Sequence, residues 1–500
     1  MMKLKSNSRS LAVWSLLCLA VVVFIGKSYE TSLNGIDANI HARAALSVTQ
    51  NGFFPKLPIL LPNEASWKNN PSFNDHPFFY FYINGWVMRA FGPSAWSARL
   101  LTALFGLGCI FFTYALGTAL RSKELGFLAA FILMTTREFI FSSASMSLDP
   151  PMLFFILLSF YFWRMKKWGW MGLACGFGLW IKTPVVLLVF PTAVLLSFFE
   201  STYRKEFHLI VKSFLLALTV GSLVWIMTGL GGGWDLVLDY WQRQIWGTAF
   251  EGRGSALGKD YWLFFYSLKG GYWPWFILLF LSIPVALIRR SFFFSEFLVP
   301  FVGGGVLILI ISFLRFKQSH YFLPCYPFLA LLSASILCPT FEKYGEKIYK
   351  GFTFLTPLLF AVIITCPISF GPEFYPHLRK FAPFIQEDRN CNSKILLVRG
   401  GEPYKSALDF TFWLNFYTAK TTLTANCGEA NALAKDLNPG WIILSNDNFE
   451  HCLSSENKAR FSIRFVYDGQ TLLKHDLTPR NVFDLTPLKK EMAAVRECGL

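Results

Sequence analysis

A small set of acidic and basic side chains borders long apolar segments, and these side chains are the ones that could do chemistry. An ionisable group inside a membrane span costs about 2.5 to 3.5 kcal/mol on insertion scales, so those that remain are candidates for function. Carboxylates and cations gathered at one membrane face suit a site that binds a phosphate and deprotonates a nucleophile. The candidates are Asp37, Asp75, His76, Arg99, Asp149, Lys182, Arg243, Lys317 and His320.

Each candidate also has a simpler explanation. A single charge at the end of a span is commonly a loop residue or one that reaches toward the headgroups. Asp37 is also placed to cap a helix, and so is Asp149, which directly precedes Pro150, because Asp is favoured before a helix and Pro at its first position. The gathering of both signs of charge at one face favours a site over these separate explanations.

The elements that must position these residues are predicted to be membrane-spanning helices. Hydrophobic residues make up 54% of the chain and charged residues 15%, whereas soluble domains carry about 25% charged residues. A purely soluble protein is therefore excluded. Apolar runs that approach the roughly 20 residues needed to span a bilayer recur up to about Phe370. We place about eleven spans, near 11–27, 96–118, 125–141, 150–163, 168–182, 184–199, 210–229, 272–288, 295–313, 321–338 and 352–370.

The distribution of basic residues predicts the orientation. With the N-terminus inside, the inner loops collect most Lys and Arg residues, which is the positive-inside pattern, and an odd number of spans leaves the tail outside. From residue 371 onward 16 basic residues face 15 acidic ones, so nearly all of the net charge of +15 belongs to the membrane part. This charge reflects topology and anionic lipids rather than nucleic acid. We expect a multi-pass protein of the inner (plasma) membrane, with its active site and tail on the periplasmic side.

The sequence divides into a transmembrane domain, residues 1–370, and a soluble tail, residues 371–500. The first outer loop, 28–95, is too long for a simple connector and carries two helical patterns, one around Ile40 to Val48 and one in PFFYFYINGWVMRAF. A second outer loop, about 231–271, opens with three glycines and is predicted to form a lid or a short interfacial helix.

The tail is predicted to be a small α/β domain. The runs KILLV, WIILS and FSIRFVY are typical of strands, and EANALAKDL is typical of a helix. Four cysteines in an oxidising compartment allow up to two disulfides in any of three connectivities. These cysteines are Cys391, Cys427, Cys452 and Cys498.

The segment FNDHPFFYFYINGWVMRAFGPSAWSARLLTALFGLGCIFFTYALG resembles the bacterial members of the dolichyl-phosphate-mannose-protein mannosyltransferase superfamily, which includes the lipid A aminoarabinose transferases. Asp37, SLDPPMLFF with Asp149, and FKQSHYFLPCYPFLALL agree with that superfamily in order and spacing. The likeness covers about residues 30–340. It implies a membrane glycosyltransferase of the C-type fold, and the tail lies outside it.

Three positions depart from the family pattern. Ala38 follows Asp37 where the family often has Asp-Glu, which weakens a metal site that would need both acids. His76 stands where the aminoarabinose transferases tend to have Lys, and Phe78 replaces a usual second Pro. These differences bear on the metal and on the sugar donor, and they leave the reaction class unchanged.

The function expected from the resemblance is an inverting transfer of a sugar from a polyprenyl-phosphate donor to a lipid (lipid A-like) or protein acceptor. Asp37 is the expected base and Asp149 a second catalytic acid, while Lys182, Lys317, His320 and Arg99 are expected to bind the donor phosphate. Asp75, His76 and Arg243 are further site candidates. No cofactor is assigned, and a divalent metal is left open with Asp37 as a candidate ligand.

Two alternatives remain at this point: a secondary transporter, and a ligase that moves polyprenyl-linked oligosaccharides. The transporter is less favoured because transporters place their ion sites near the bilayer midplane, whereas these charges lie at one rim. The sequence contains no nucleotide-binding glycine loop, zinc spacing or nucleophile elbow, so hydrolases, ATPases and dehydrogenases have no support.

Overall fold

The computed structural model describes the chain in fifteen stretches, and all structural statements below concern these residues. They are residues 2–26, 33, 36–51, 73, 75–182, 184–199, 204–251, 262–289, 294–365, 376–388, 394–399, 422–436, 439–445, 451–467 and 470–475. The chain forms two compact units. The first comprises residues 1–31 and 74–371, and the second comprises residues 32–73 and 372–500. The predicted first outer loop, 28–95, is thus divided between the two units, and the predicted domain boundaries stay a prediction.

The first unit is built from helices. They are α1 (Met2–Val21), α3 (Phe79–Phe91), α4 (Ala95–Leu120), α5 (Lys123–Met134), α6 (Arg137–Ser143), α7 (Asp149–Arg164), α8 (Trp168–Leu179), α9 (Val189–Phe199), α10 (Phe207–Gly232), α11 (Trp234–Asp239), α12 (Leu263–Gly271), α13 (Phe276–Ile288), α14 (Ser295–Phe313) and α15 (Tyr326–Thr365). Between them lie π-helical segments, Val22–Gly26 and Tyr240–Glu251, and 3₁₀ segments, Val185–Leu188 and Ser319–Cys325. The second unit contains α2 (Ile36–Asn51) and the tail.

Five helical segments are long and apolar enough to cross a membrane, or up to seven if each sharply bent helix pair counts as one span. The bent pairs are α5 with α6 and α12 with α13. The predicted spans at 150–163, 168–182 and 184–199 correspond to helices of 16, 12 and 11 residues, which are too short for this criterion. The chain is a polytopic helical membrane protein, and the count of eleven spans stays a prediction.

Two predicted spans, 321–338 and 352–370, fall largely within α15, which is helical over 40 residues. In a straight helix, residues eight apart are about 12 Å apart along the axis, and their side chains lean toward the N-terminus. The rings of Phe341 and Tyr349 nevertheless lie 5.3 Å apart, and both contact Phe127 of α5. The axis of α15 therefore bends between these two residues.

The two limbs of α15 contact α5 at different positions along its length. Ser122, where α4 ends and α5 begins, lies beside Cys338 of the first limb, whereas Phe352 of the second limb packs on Phe131, further along α5. The first limb thus reaches the α4–α5 turn, and the second returns along α5. This arrangement fits two spans joined by a turn near Gly345.

The start of α4 follows directly from its sequence. Ser94 precedes the helix in an extended conformation, and its hydroxyl accepts the Ser97 N–H at 3.1 Å while the Ser97 hydroxyl accepts the Ser94 N–H at 3.0 Å. This reciprocal pair is a capping box, which satisfies backbone donors that the first helical turn leaves free. The aromatic helix α3 then packs on α4, because Asn84 donates to the Ala98 carbonyl at 2.8 Å and Tyr80 bonds Thr102.

The tail contains a five-stranded sheet with the order β2-β1-β3-β5-β4. The strands are β1 (Ile395–Arg399), β2 (Thr422–Asn426), β3 (Trp441–Ser445), β4 (Phe461–Tyr467) and β5 (Gln470–His475). Strand β1 pairs in parallel with β2 and β3, and β5 pairs antiparallel with β3 and β4. The three runs predicted as strands form β1, β3 and β4, and the run predicted as a helix falls largely in α17 (Cys427–Asp436), which follows α16 (Pro376–Gln386) and precedes α18 (Ser455–Ala459).

Alternating side chains of the sheet form two small cores. Leu396 and Ile442 face the helix α17, while Leu397 and Ile443 face Phe381 of α16. Cys427 and Cys452 form a disulfide. Of the predicted cysteines, Cys391 and Cys498 lie outside the described residues.

Candidate active site

The described part of the first unit contains a cavity of about 250 Å³ with one polar end and apolar walls. Its polar groups include the side chains of Asp75, His76, Asp149 and Lys182. Its apolar walls come from the segment Val185–Leu188, the C-terminal end of α14 and the π-helical segment Tyr240–Glu251. The site thus combines fixed charges with an apolar surface, which suits a ligand that is anionic at one end and hydrophobic at the other.

Asp149 and Lys182 form an ion pair at the polar end. The Lys182 Nζ donates to Asp149 Oδ1 at 2.7 Å. Asp149 is only 4% exposed, while the Lys182 side chain keeps 17% of its surface accessible. The Ser147 hydroxyl donates to Asp149 Oδ2 at 3.3 Å and accepts the Asp149 N–H at 3.2 Å. Both carboxylate oxygens therefore accept hydrogen bonds, and the Lys182 side chain is the more exposed of the two in the cavity lining.

The charge of Asp149 is stabilised by its neighbours. Asp149 precedes the predicted span 150–163 and lies at the start of α7. Burial alone would raise the pKa of its carboxyl, but Lys182, His320 and the hydrogen bonds outweigh burial and hold the pKa below its ordinary value. Asp149 is thus an ionised anchor for Lys182 and a weak proton acceptor.

Asp149 is positioned by a chain of contacts that begins in α3. Tyr80 bonds Thr102 of α4, and the Thr102 hydroxyl donates to the Ser147 carbonyl at 3.1 Å. Two turns further along α4, the Cys109 thiol contacts the Pro150 carbonyl at 3.4 Å. These contacts fix the start of α7 on α4, and Asp149 with it.

Lys182 lies just after α8, where its N–H donates to the Gly178 carbonyl at 3.2 Å. Gly178 is needed there because a Cβ would stand 2.7 Å from Val186 and 2.9 Å from Phe155. The close approach brings the end of α8 against α7 and the 3₁₀ segment. Lys182 and Asp149 are therefore brought together by the packing of α8 on α7.

An aromatic ring completes the surroundings of Lys182. Its Nζ lies 5.1 Å from the centre of the Tyr321 ring, within the range of a cation–π contact. Tyr321 lines the cavity and packs edge-on against His320 at 4.9 Å. Both residues belong to the 3₁₀ segment Ser319–Cys325. His320 is close enough to Asp149 to lower the pKa of its carboxyl, and its role in phosphate binding stays a prediction.

Asp75 forms the second ion pair at the cavity. Its Oδ1 accepts from Arg243 and from the Gln244 amide, the latter at 2.7 Å. Arg243 also bonds Asp239, four residues earlier, at 3.2 Å. Burial lowers the pKa of Arg243, but the two carboxylates outweigh that effect and raise it, so Arg243 is a permanent cation. Asp75 is consequently engaged with the segment Tyr240–Glu251.

Two expected phosphate ligands lie elsewhere in the first unit. Lys317 is 1% exposed, and its ammonium donates to the carbonyls of Ser312 at 2.9 Å and Leu314 at 3.1 Å. It thereby caps the C-terminal end of α14. Arg99 is 3% exposed within α4. Neither residue lines the cavity, so their role in phosphate binding stays a prediction.

Asp37 is the second residue of α2, in the second unit, and its side chain is exposed. An acidic residue in the first turn is favourable to a helix because the backbone N–H groups there are unpaired. The role of Asp37 as base stays a prediction.

The described residues contain no group of three or more His, Cys, Asp or Glu side chains that could hold a metal ion. Around Asp149 the donor set does not suit a cation, because one carboxylate oxygen already bonds the Lys182 ammonium and the other accepts from Ser147. No step below is therefore routed through a metal.

The sequence did not single out Ser147, Tyr240 or Gln244. Ser147 precedes Asp149 by two residues and follows a small-residue run, which is a weak signal for a turn. Gln244 and Tyr240 are neutral, so a search for charges in apolar surroundings passes over them. Tyr321 was present only as part of the Tyr-x-x-Pro segment.

Comparisons with known proteins agree on one class. The family model described as dolichyl-phosphate-mannose-protein mannosyltransferase matches residues 75–225. An uncharacterised protein of Aquifex aeolicus is 24% identical over 373 residues, which cover 73% of this chain and 82% of that protein. The undecaprenyl phosphate-alpha-4-amino-4-deoxy-L-arabinose arabinosyl transferase 1 of Pseudomonas fluorescens is 25% identical over 342 residues, which cover 62% of this chain and 58% of that protein.

The fold has a close counterpart among solved structures. ArnT from Cupriavidus metallidurans, solved with bound undecaprenyl phosphate, superimposes with a TM-score of 0.66 at 13% identity, over 93% of this chain and 98% of that chain. The fold is therefore the C-type fold that the sequence resemblance implies. The resemblance drawn from the sequence is thus confirmed: the mannosyltransferase family model matches part of the chain, the Pseudomonas transferase is similar in sequence, and the fold is that of ArnT.

Proposed function

We propose that the protein transfers a sugar from a polyprenyl-phosphate donor to a hydroxyl of a lipid or protein acceptor at the outer face of the inner membrane. The observation that carries this proposal is the two-ended cavity. Its polar end holds the Lys182 ammonium at 2.7 Å from Asp149, and its walls are formed by Val185, Leu188, Ile311 and other apolar side chains. A phosphate fits the first surface and a prenyl chain the second.

Lys182 is the proposed phosphate ligand. Asp149 fixes the direction of the ammonium, and the Tyr321 ring supports it from another side. A cation that is already oriented stabilises the negative charge on the departing phosphate without reorganisation during the reaction. His320 contributes further positive charge to the same region.

The reaction proceeds by inversion. An acceptor hydroxyl oxygen attacks the anomeric carbon and forms the new C–O bond, while the bond from that carbon to the phosphate oxygen breaks. The electron pair of the broken bond leaves with the polyprenyl phosphate, whose charge Lys182 offsets. The acceptor proton passes to a carboxylate, for which we propose Asp37. Support for Asp37 comes from its place in the family pattern and from its exposed carboxylate.

The proposed side of the membrane is extracytoplasmic. Disulfides persist in oxidising compartments and are rare in the cytosol, and the Cys427–Cys452 disulfide of the tail supports this location.

Donor binding and transfer test the proposal together. The purified protein is mixed with undecaprenyl phosphate, and native mass spectrometry is expected to detect one bound lipid per chain in the wild type and little in Lys182→Met. Lys166→Met is the matched control, because Lys166 pairs with Glu206 at the surface, away from the cavity lining. Equal lipid binding by all three proteins would refute Lys182 as the phosphate ligand.

Transfer is then measured with a membrane lipid extract that contains polyprenyl-phosphate sugars. We expect a sugar to move to an acceptor lipid or protein and undecaprenyl phosphate to be released. Transfer of a whole oligosaccharide to the acceptor, with release of a polyprenyl diphosphate, would instead identify the ligase alternative. Uptake of a solute into vesicles without any covalent transfer would identify the transporter alternative.

A further inference from the structure

One wall of the cavity is the π-helical segment Tyr240–Glu251, which we call the wall segment. Five of its residues line the cavity, at positions 240, 244, 245, 248 and 249. These positions fall on one side of the segment, so this side forms one continuous wall of the cavity. The width of the cavity therefore depends on where the wall segment is held.

The far end of the wall segment is held by backbone hydrogen bonds. The N–H of Arg315 donates to the Ala249 carbonyl at 3.2 Å, and the N–H of Phe316 donates to the Thr248 carbonyl at 2.9 Å. Both donors follow the end of α14. This end is thus attached to another cavity wall by main-chain groups that no side-chain substitution removes.

The near end of the wall segment continues directly from α11, and its Tyr240 and Trp241 rings pack against Trp225 of α10. Two further side chains attach it to Asp75. Arg243 and Gln244 both donate to the same oxygen of Asp75. Asp75 lies four residues before the start of α3, which is fixed on α4 by the Asn84 and Tyr80 hydrogen bonds. The attachment therefore links the wall segment to a rigid part of the helical bundle through one carboxylate.

We infer that Asp75 is a positioning residue that sets the width of the donor cavity by holding the wall segment through Arg243 and Gln244. The carboxylate does not act as the base, because one of its oxygens already accepts two hydrogen bonds and its charge is paired with a guanidinium. Its loss removes the link to α3, while the backbone bonds at Thr248 and Ala249 and the ring contacts with Trp225 remain. The wall segment is then held less firmly on the α3 side, and the cavity loses its fit to a ligand.

A test without substrate uses hydrogen–deuterium exchange of the full chain in detergent. In Asp75→Ala we expect the amides of the wall segment to exchange about tenfold faster, since local opening is governed by the contacts that hold a segment closed. The amides of α4 are expected to keep their wild-type rates. Unchanged exchange in the wall segment would overturn the inference.

Asp239→Ala is the matched control. Asp239 pairs with the same Arg243, but it is the last residue of α11, directly before the wall segment. Its side chain is 47% exposed. Its removal deletes an ion pair of Arg243 without detaching the wall segment from α3. We expect near wild-type exchange from Asp239→Ala. Exchange as fast as in Asp75→Ala would show that the contact with Asp75 is not what holds the wall segment.

Conservative variants keep the inference testable if Asp75→Ala folds poorly. Asp75→Glu retains the charge and is expected to restore most of the protection. Gln244→Glu places a second carboxylate against Asp75 and is expected to loosen the segment by repulsion, with Asp75 itself intact. Slow exchange in Gln244→Glu would contradict the role of this attachment.

A kinetic readout rests on the proposed function. Because Asp75 acts on cavity width rather than on the reacting atoms, Asp75→Ala is expected to raise KM for the lipid donor about tenfold and to change kcat by less than about threefold. A loss confined to kcat would overturn the inference, since it would indicate a direct catalytic role. The two proposals fail separately: wild-type protein that does not bind undecaprenyl phosphate refutes the function, whereas only the exchange experiment decides the attachment.

Discussion

Removal of the Lys182 ammonium should affect both donor affinity and stability, and the structure predicts how the two effects divide. On the sequence alone, Lys182→Ala is expected to weaken donor binding far more than it disturbs folding. The structure changes this expectation because Asp149, the partner of Lys182, is 4% exposed. A variant without the ammonium leaves a buried carboxylate without its counter-charge.

The magnitudes follow from this geometry. Breaking a buried ion pair by removing one partner costs about 3 to 5 kcal/mol of folding stability, and the 17% exposure of Lys182 places the cost at the lower end. A hydrogen bond to a charged group contributes about 1.5 to 3 kcal/mol, so the lost phosphate contact should weaken donor binding about thirtyfold. Lys182→Met is therefore expected to lose both stability and affinity.

A second substitution separates the two losses. Asp149→Asn in the Lys182→Met background removes the stranded charge and should recover most of the stability, since replacing both partners of a buried pair is often nearly neutral. It cannot restore the contact to the donor phosphate. The double variant is thus expected to melt close to wild type and still bind undecaprenyl phosphate about thirtyfold more weakly.

The assay measures thermal unfolding and lipid binding on the same purified proteins in the same detergent. Lys166→Met serves as the control for a lysine removed from a surface ion pair. If the double variant recovered both stability and wild-type affinity, the Asp149–Lys182 pair would be a structural contact and the reasoning would be refuted.

Four further predictions concern separate parts of the chain. Asp37→Asn should slow transfer by about 10² to 10⁴, as expected for loss of a general base, while stability changes by less than about 1 kcal/mol; normal turnover would return Asp37 to a helix-terminal role. Lys317→Met should lower stability by about 1.5 to 3 kcal/mol because the end of α14 loses its cap, and donor affinity lost at unchanged melting temperature would instead make Lys317 a phosphate ligand. Reduction of the Cys427–Cys452 disulfide should destabilise the tail by about 2 to 4 kcal/mol, and a melting curve indifferent to reductant would contradict this. A reporter that works only outside the cytoplasm, fused after Leu500, should be active, and activity of a cytoplasmic reporter there would reverse the topology.

The sequence predicted several residues that line the candidate site, but it did not predict which residues they contact. Asp149 and Lys182 were both identified because a charge beside an apolar run is costly and therefore conspicuous. Their pairing was not predicted, since it depends on the packing of α8 against α7 at Gly178, and a separation of 33 residues carries no such information. The contact of Asp75 with Arg243 was missed for the same reason.

Lys317 shows the limit of charge-based prediction. A lysine between two apolar segments suits a phosphate ligand and a helix cap equally well, and only the direction of the side chain distinguishes them. In the structure its ammonium points back to the carbonyls of α14.

The helical pattern was also predicted more securely than its geometry. The aromatic run after His76 forms α3 and the strand-like runs of the tail form strands, because hydrophobic periodicity is a local property. The separate spans predicted at 321–338 and 352–370 anticipated an interruption here, but not that the chain would stay helical through it as α15, with its axis bent between Phe341 and Tyr349.

The most direct test of the central claim is to locate the lipid donor on the protein. Undecaprenyl phosphate that carries a photoreactive group in its prenyl chain is bound to the wild-type protein and irradiated, and the labelled peptides are identified by mass spectrometry. The account predicts labels on Val185 to Leu188, on the wall segment and on the end of α14 at Ile310 and Ile311. It also predicts that excess unlabelled lipid removes them. Labels confined to the exposed apolar faces of the bundle, such as Leu215 and Leu223 of α10, would show that the cavity does not hold the donor and would contradict the account.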